Sequence, residues 1–299
     1  MKADGKTFLT AGKFADVPRR AELEQCEAAR AFLVTCRQPR DYFSLRDRDE
    51  LSKRVAQLES VEQVSALSFS SGACYTGDLH EGKRWGYGEC EWSDGAHFQG
   101  LWCCDFPHVY GFFTFVNGDV YEGQWKFGYF HGSGSLRALS GARYEGSWEW
   151  GFRHGRGTEM YADGNRYTGE FAGGKRHGVG TMRWKSFGNV YEGGWDSDEA
   201  HGQGKFTWGD GKVYEGEWQH NVIQGKGRLR CVDGGVYVGD FVAGKFHGQG
   251  KYQWTDGRVY EGSWVEGRMH GPGSFSKPGQ RRRRGVWQQG KRQHWDEGV

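Results

Sequence analysis

The sequence lacks long apolar segments, a signal-peptide core and paired cysteine motifs. No window approaches the roughly 18 to 20 consecutive apolar residues that a membrane-spanning helix needs, and the N-terminal segment has no apolar core of the kind that directs secretion. The seven cysteines are odd in number and contain no CxxC spacing, which argues against a disulfide framework and against a zinc site. We therefore expect a soluble, cytoplasmic protein in a reducing compartment.

Aliphatic residues and net charge are also scarce. Hydrophobic residues make up 36% of the chain and aromatic residues 16%, so we expect burial to depend on rings more than on an aliphatic core. Glycine is abundant instead, with 51 residues in 299, more than twice its usual share of about 7%. The formal charge of +2 is too small to require an anionic partner, and we predict no nucleic-acid partner.

A phrase such as YEGSWEWGFRHGRG, residues 144 to 157, recurs along the chain with a period of 23 residues and one repeat of 24. Position 3 is glycine in all ten repeats, and position 5 is tryptophan or phenylalanine in every repeat except the first, which has Leu79. A fixed period of this length is typical of an array in which each repeat packs on its neighbours. The repeats begin at Tyr75, Phe98, Tyr121, Tyr144, Tyr167, Tyr191, Tyr214, Tyr237, Tyr260 and Arg283, and the last is truncated.

Each repeat has the alternation of a β-hairpin. Aromatic residues and glycines occupy every second position of two segments, and an Asp-Gly pair such as Asp210-Gly211 then marks a turn into the next repeat. A two-residue loop would place the rings on different faces, so the pattern predicts a three-residue loop that ends on a left-handed glycine. The predicted cross-strand pairs are Phe206 with Tyr214, Gly204 with Gly216, and Gly202 with Trp218.

These patterns predict a mainly β fold, an elongated single-layer antiparallel ribbon of hairpins with a short N-terminal helical segment. Rings should lie over glycine backbone on one face, and the other face should be polar. We predict three segments: residues 1–70 with two helices, residues 71–294 with nine repeats and a truncated tenth, and a tail at residues 295–299.

The N-terminal segment is nearly free of glycine from residue 19 to residue 67. A first helix is expected from about Pro18 to Cys36. A second is expected to start near Ser44, with apolar residues at helical spacing; these are Leu51, Val55, Leu58 and Val61. Two interpretations stay open, a cap over the first edge strand near Tyr75 or a docking element for another protein.

The pattern YEGxWxxGxxHGxG followed by DG, as in residues 237–250 and 260–273, resembles the MORN-repeat (membrane occupation and recognition nexus) family. The resemblance covers about residues 75 to 294. It implies a non-enzymatic scaffold that binds other proteins of a large assembly, plausibly in the cytoskeleton or in a ciliary or flagellar axoneme. It also implies a homodimer through the repeat ends. Catalytic domains that accompany MORN repeats in some proteins have no room in this chain.

No residue constellation predicts catalysis, a cofactor or a metal site. The histidines at position 11 lie one repeat or more apart, too far for shared ligation at about 2 Å, so we expect them to bond loop backbone. Two GxxxxGK segments, Gly77–Lys83 and Gly169–Lys175, lack the following serine or threonine and the helix of a phosphate-binding loop. The acidic loop around Asp196, Asp198 and Glu199 lacks the pattern of an EF-hand.

The predicted partner-binding residues are aromatic, because such side chains often dominate protein interfaces. Loop aromatics in the second and third repeats either lie under the N-terminal helices or form an anchor pocket; they are Phe106, Phe127, Tyr129 and Phe130. The adjacent Cys103 and Cys104 are expected to pack without a disulfide. The aromatic-face candidates are Tyr121, Trp125, Tyr144, Trp148, Tyr191, Trp195, Tyr214, Trp218, Tyr260 and Trp264.

A run of arginines from Arg281 to Arg284 forms a local positive patch near the C-terminus, with no acid from residue 274 to residue 295. Such a run is typical of a solvated turn, and it could also contact a tubulin tail or a phosphoinositide head group. The alternative function is therefore a peripheral membrane module that binds anionic phospholipid through Arg281, Arg282, Arg283 and Arg284.

Overall fold

The structure, a computed structural model, describes residues 61–296 and divides into an N-terminal unit that ends at Ala162 and a C-terminal unit that begins at Asp163. The N-terminal unit contains strands β1 to β9. Their bounds are β1 (Val61–Ser68), β2 (Cys74–His80), β3 (Lys83–Glu91), β4 (His97–Cys103), β5 (Phe106–Thr114), β6 (Val120–Lys126), β7 (Tyr129–Arg137), β8 (Arg143–Glu149) and β9 (Phe152–Met160).

The C-terminal unit contains strands β10 to β21. They are β10 (Arg166–Ala172), β11 (Lys175–Trp184), β12 (Asn189–Asp196), β13 (Glu199–Thr207), β14 (Val213–Gln219), β15 (Val222–Arg230), β16 (Val236–Val242), β17 (Lys245–Gln253), β18 (Val259–Val265), β19 (Arg268–Ser276), β20 (Arg283–Gln288) and β21 (Lys291–Trp295).

In each unit, every strand pairs antiparallel with the next strand along the chain. Residues 61–296 contain no helix, so this range holds no helix long and apolar enough to cross a membrane. The predicted mainly β fold of consecutive antiparallel hairpins is confirmed in both units. Residues 1–60, which include the first predicted helix and most of the second, lie outside the described part of the chain.

The register between repeats is the predicted one. Phe206 lies opposite Tyr214, Gly204 opposite Gly216, and Gly202 opposite Trp218. The loop has three residues, because the amide of Trp208 donates to the carbonyl of Lys212 at 2.9 Å across it. Its last residue, Gly211, has a φ of 89°, the left-handed conformation that glycine adopts without steric cost.

A second kind of turn closes the hairpin inside each repeat. It has two residues with positive φ, such as Ser197 at 51° and Asp198 at 74°, the combination of a type I′ turn that matches the strand twist. The backbone amide of the second turn residue donates to a carbonyl of the preceding repeat. Examples are Asp198 to Arg176 at 3.0 Å and Asn221 to Ala200 at 3.0 Å. These bonds join successive turns along the edge of the sheet.

The core lies on one face of the sheet, called here the inner face, which carries positions 1 and 5 of the repeats. The ring of Tyr191 covers Gly204 so closely that a side chain on this glycine would collide with it. The Tyr191 hydroxyl donates to the carbonyl of Gly194 at 2.8 Å. From the next repeat, the indole of Trp218 donates to the carbonyl of Gly204 at 3.2 Å. Glycine thus gives the rings room to lie on bare backbone.

The start of the described chain differs from the sequence expectation. Val61 was expected to end the second helix, and residues 61–68 fell in the predicted helical segment, but they form β1, which pairs antiparallel with β2. The Val61 and Val64 spacing is compatible with either structure. The strand forms because, without β1, β2 would expose a row of unsatisfied backbone amides and carbonyls at the sheet edge.

Candidate protein-binding surface

The aromatic-face residues predicted to bind partners lie in the core. They form edge-to-face pairs, such as Tyr191 with Trp195 at 5.1 Å between ring centroids and with Trp218 at 5.2 Å. Burial raises the pKa of tyrosines on this face, to about 12 for Tyr214, because a charged phenolate would be poorly solvated there. All ten predicted rings are at most 8% exposed: Tyr121, Trp125, Tyr144, Trp148, Tyr191, Trp195, Tyr214, Trp218, Tyr260 and Trp264.

A different set of rings remains half-exposed on the inner face of the C-terminal unit. They occupy positions 16 and 18, next to the loops between repeats, and we call them the aromatic track. Trp184 lies 5.7 Å from Phe206, and Phe206 lies 4.5 Å from Trp208. Farther along, Trp254 lies 4.7 Å from Tyr252 and 6.1 Å from Phe275. The track consists of Trp184, Phe206, Trp208, Tyr252, Trp254 and Phe275, all half-buried.

Smaller side chains continue the track through the seventh repeat. Leu229 and Cys231 occupy positions 16 and 18 there and are also half-buried. The hydroxyl of Tyr252 lies 3.9 Å from the Cys231 sulfur. The apolar surface therefore continues from the sixth repeat to the eighth.

Basic side chains border the aromatic track. The Lys212 ammonium lies 4.0 Å from the centroid of the Trp208 ring, and the Arg258 guanidinium lies 5.2 Å from that of Trp254. Each cation interacts favourably with the π face of its ring. Arg258 also binds the carboxylate of Asp256 at 2.6 Å, so Lys212 is the cation beside the track that an acidic group of a partner would meet.

The histidines at position 11 bind backbone, as predicted, in the second and third repeats, whereas His154 and His177 lie 3.5 Å and 3.4 Å from the carboxylates of Glu149 and Asp196. Nδ1 of His108 accepts from the amide of Phe127 at 3.1 Å, and Nδ1 of His131 accepts from that of Trp150 at 3.5 Å. Gln224 replaces histidine at this position and accepts from the amide of Ala243 at 3.1 Å. Among residues 61–296, no group of three or more potential metal ligands occurs.

An arginine–aspartate contact between adjacent repeats occurs once in each unit. Arg84 binds Asp105 at 3.2 Å, and Arg176 binds Asp198 at 3.0 Å. Each arginine also lies over the position-5 tryptophan of the following repeat, at 4.2 Å and 4.4 Å. The acidic loop that includes Asp198 is thus part of a contact between repeats.

A family model, the MORN repeat, matches nine consecutive segments of the chain, at residues 75–97, 98–120, 121–142, 144–166, 167–188, 191–213, 214–236, 237–257 and 260–280. The chain belongs to the MORN-repeat family. MORN repeats are protein-binding or membrane-binding modules, and the family is generally a non-catalytic scaffold. The truncated tenth repeat lies beyond the matched segments and forms the shorter hairpin of β20 and β21.

Among the curated proteins compared with the chain, none matches it. Solved structures with some similarity include the TCP10 domain of Danio rerio CPAP in complex with a peptide of STIL, with 11% identity, a TM-score of 0.42, and coverage of 80% of this chain and 100% of that one. The TCP10c domain of Drosophila melanogaster Sas-4 has 10% identity, a TM-score of 0.32, and coverage of 51% and 91%. Neither likeness informs the function.

The loop aromatics of the second and third MORN repeats separate into buried and half-buried rings. Phe127 is 3% exposed and Phe130 is fully buried, the latter stacked on Tyr121 at 3.6 Å. Tyr129 is half-buried and lies 5.7 Å from Trp150. Phe106, also half-buried, packs against a cluster of Trp85, Cys103 and Phe127.

The cysteine pair of the second MORN repeat carries two thiols that are not joined in a disulfide. The sulfurs of Cys103 and Cys104 lie 3.8 Å apart, and Cys103 is fully buried. The packing role predicted for this pair agrees with the burial of Cys103.

Arg281 and Arg282 lie in the turn between β19 and β20, Arg283 and Arg284 begin β20, and all four side chains are exposed. Arg282 is bound by the carboxylate of Glu261 at 3.0 Å and by the hydroxyl of Ser274 at 2.6 Å. Arg283 lies 4.3 Å from the Trp295 ring, as does Arg292. The patch is therefore exposed but partly engaged within the chain.

The ten rings that the sequence nominated for partner binding on the aromatic face are buried, and the rings of the track were not among the nominated residues. Position 16 and position 18 aromatics follow the same period-2 alternation as the core rings, so the pattern assigns them to the same face. Only their location beside the loops leaves them half-exposed. The recurrence of rings at both positions in the sixth and eighth repeats was the available signal.

Proposed function

We propose that the protein is a non-enzymatic scaffold that binds partner proteins along the aromatic track of its C-terminal unit. The observation that carries this proposal is the row of half-exposed rings from Trp184 to Phe275 on an otherwise buried aromatic face. Half-exposed aromatic side chains that are already held in place lose little freedom on binding and supply much of the energy of protein interfaces.

The charges beside the track indicate the chemistry of the partner. Lys212 lies on a track ring, so a segment with apolar side chains beside an Asp or Glu would satisfy both the rings and this cation. Complementary charges of this kind mainly increase the association rate and select the partner.

The cellular part of the proposal is a cytoplasmic location within a cytoskeletal, ciliary or flagellar axonemal assembly. It is supported by family membership, because the MORN-repeat family includes scaffolds of such assemblies. A homodimer through the repeat ends is a weaker element of the proposal. The terminal strand β21 carries Lys291 and Arg292, and basic residues on an edge strand oppose pairing with a second copy.

The test compares two full-length variants as baits in extracts of ciliated cells. Trp208→Ala with Trp254→Ala removes two track rings, whereas Val238→Ala with Val265→Ala removes exposed side chains on the opposite face. Quantitative mass spectrometry should show cytoskeletal proteins that the native chain and the valine variant retain and that the tryptophan variant loses by about tenfold or more.

Thermal unfolding of both variants verifies that the sheet is intact before the extracts are compared. Equal recovery of the same proteins by both variants would refute binding along the track. Recovery of track-dependent proteins that include no cytoskeletal component would refute the cellular assignment alone.

The exposed arginine turn supports a second candidate function, binding to anionic membranes. Four exposed arginines at and beside one turn would be attracted to phosphatidylserine or phosphoinositide head groups, and salt would screen this attraction. The same chemistry would attract the acidic tail of tubulin.

Sedimentation with vesicles of phosphatidylcholine, with and without phosphatidylserine, tests this candidate. Binding that needs the anionic lipid, falls with added salt and is lost on replacement of all four arginines by alanine would support it. Equal sedimentation with both vesicle types, or none at physiological salt, would contradict it.

A further inference from the structure

The outer face of the sheet, opposite the rings of positions 1 and 5, carries a row of charged side chains in the C-terminal unit. The row consists of positions 2 and 15 of successive repeats, which lie directly opposite one another on adjacent strands. Acid and base alternate along this row except at one valine. From β13 to β18 its members are Lys205, Glu215, Arg228, Val238, Lys251 and Glu261.

The valine stands where other repeats have an acid. Position 2 is glutamate in five repeats, at Glu122, Glu145, Glu192, Glu215 and Glu261. In the eighth repeat it is Val238, which is 50% exposed. Opposite charges on facing positions of adjacent strands attract each other. The eighth repeat therefore lacks the acid that would lie between two basic strands.

The cations on either side of Val238 have no partner in the described part of the chain. Arg228 faces Val238 from β15, and Lys251 faces it from β17. Both side chains are exposed, and neither makes an ion pair or a side-chain hydrogen bond within residues 61–296. Their Cα atoms are two strand spacings apart, about 10 Å, so both long side chains can reach one group above Val238.

The nearest acids of the row are engaged by other cations. Glu215, on the far side of Arg228, pairs with Lys205 at 3.5 Å. Glu261, on the far side of Lys251, pairs with Arg282 at 3.0 Å. The row therefore leaves two positive charges unmatched on either side of one uncharged position.

The neighbouring positions of the outer face do not supply the missing acid. Lys226 pairs with Asp240 at 3.2 Å, and the amide of Lys226 donates to Glu217 at 3.0 Å. Arg230 lies two residues beyond Arg228 on the same side of β15, and it is also exposed and without an ion pair within residues 61–296. The surface around Val238 is thus locally positive.

A groove beside Val238 leaves room for a segment of another molecule. Its volume is about 500 Å³, and its floor includes the backbone of three glycines. The side chains that line it are Gln203, Glu215, Glu217, Lys226, Arg228 and Val238. A segment that lies in this groove can place one side chain between the two unmatched cations.

We propose that Arg228 and Lys251 bind one carboxylate of a partner protein, from an Asp or Glu side chain that takes the place of the missing position-2 acid. Charge complementarity identifies this occupant, because two unmatched cations flank a single uncharged position. An anionic membrane fits less well, since Glu215, Glu217 and Glu261 on the same face would be pressed against its head groups. The site lies on the face opposite the aromatic track and does not depend on it.

Acetylation of Lys251 in the full-length protein tests the site. The probe is a short peptide with blocked ends, Gly-Ser-Ala-Glu-Ala-Ser-Gly, in millimolar excess, and the matched probe has glutamine in place of glutamate. A bound carboxylate shields the Lys251 ammonium. At low salt, the glutamate peptide should slow the acetylation of Lys251 by about threefold or more, and the glutamine peptide by less than about 1.5-fold. Mass spectrometry of digests measures each lysine separately.

Two lysines of the same face serve as internal references. Lys226 and Lys245 already pair with Asp240 and Glu266, so the glutamate peptide should slow their acetylation by less than about 1.5-fold. Equal slowing at all three lysines would overturn the proposal, because the peptide would then follow the general charge of the face.

A matched pair of variants shows whether the missing acid defines the site. Val238→Glu supplies a carboxylate from the chain itself, and the glutamate peptide should then no longer slow the acetylation of Lys251. Val265→Glu adds the same charge at position 6 of the ninth repeat, opposite Arg268, and should leave the peptide effect unchanged. A peptide effect that persists in Val238→Glu would overturn the proposal.

Two further measurements cover a misfolded variant and a membrane ligand. If thermal unfolding shows that Val238→Glu is not folded, Arg228→Gln replaces it and should reduce the shielding of Lys251 by about half or more. Undiminished shielding in Arg228→Gln would overturn the proposal. Vesicles with phosphatidylserine that slow the acetylation of Lys251, when the glutamate peptide does not, would also overturn it.

Discussion

The N-terminal and C-terminal units are built from the same repeat pattern but differ on the outer face of the sheet, which is opposite the buried rings of positions 1 and 5. Cys103 at position 6 of the second repeat is fully buried, whereas Val265 at position 6 of the ninth is 38% exposed. The inner faces differ less, since both hold buried tyrosines over glycine backbone. One repeat pattern therefore builds one common core, and the residues at the remaining positions decide which surface is closed and which is open.

A charge at position 6 should give the largest difference between the units. Cys103→Asp places a carboxylate where water is excluded, and we expect it to reduce the free energy of unfolding by about 3 kcal/mol or more. Val265→Asp at the same position of the ninth repeat should change it by less than about 0.5 kcal/mol. Urea unfolding of both variants measures this, and equal losses would show that the two outer faces are alike.

The pH dependence of stability should be sharpest at His108. Its pKa is about 4 in the folded protein and about 6.5 in an unfolded chain. Between pH 4 and pH 6.5 the histidine is protonated in the unfolded chain but neutral in the folded protein. The contribution of neutral His108 to the free energy of unfolding is therefore fully present above pH 6.5 and is lost as the pH falls toward 4. From pH 7 to pH 5 we expect a loss of about 2 kcal/mol.

His108→Gln removes this contribution while it keeps an acceptor for the Phe127 amide, as Gln224 does for Ala243. Urea unfolding at pH 7 and pH 5 should therefore show a smaller loss in the variant than in the native chain. The same loss in both would assign the effect to other groups.

The arginine–aspartate contacts should show no difference between the units. Arg84→Ala and Arg176→Ala each remove bonds to an aspartate and contact with a tryptophan of the following repeat. We expect each to cost between about 1 and 2 kcal/mol, as for hydrogen bonds to charged groups. Thermal and urea unfolding of the two variants provide the comparison. Unequal costs would extend the difference between the units to the contacts between repeats.

The smallest effect is expected for ion pairs on the outer face that solvent reaches. Arg137 lies 3.7 Å from Glu122 in the N-terminal unit, and Lys205 lies 3.5 Å from Glu215 in the C-terminal unit. Arg137→Gln and Lys205→Gln should each change the free energy of unfolding by less than about 0.5 kcal/mol, because solvent screens both pairs. Urea unfolding in low and high salt measures this. A larger loss at Arg137 would show that solvent screens the Arg137 pair less than the Lys205 pair.

Register and core were predictable because the constraints are local. The parity of the loop before Tyr214 places Phe206 opposite that ring, and alternation then assigns each following residue to a face. The histidine at position 11 was correctly assigned to backbone in the second and third repeats. The strand at Val61 was missed, because its spacing of apolar residues fits a helix and its pairing partner lies in another segment.

The open surface was harder to predict because exposure depends on neighbours that are distant in sequence. Alternation places Trp208 and Trp218 on the same face, but only Trp218 lies over the glycines of the preceding repeat. The sequence shows which residues are aromatic and which face each one joins. It does not show how far a neighbouring strand or segment covers them.

The amino-acid sequence by itself determined the hairpin, its register and the need for glycine beneath the rings, since turn parity and steric exclusion act between residues close in the chain or one repeat apart. The tertiary structure alone decided that the aromatic track stays half-exposed and that Cys103 is buried while Val265 is not. Burial is a property of the assembled layers, because water is excluded by whatever packs above a side chain and not by the side chain itself.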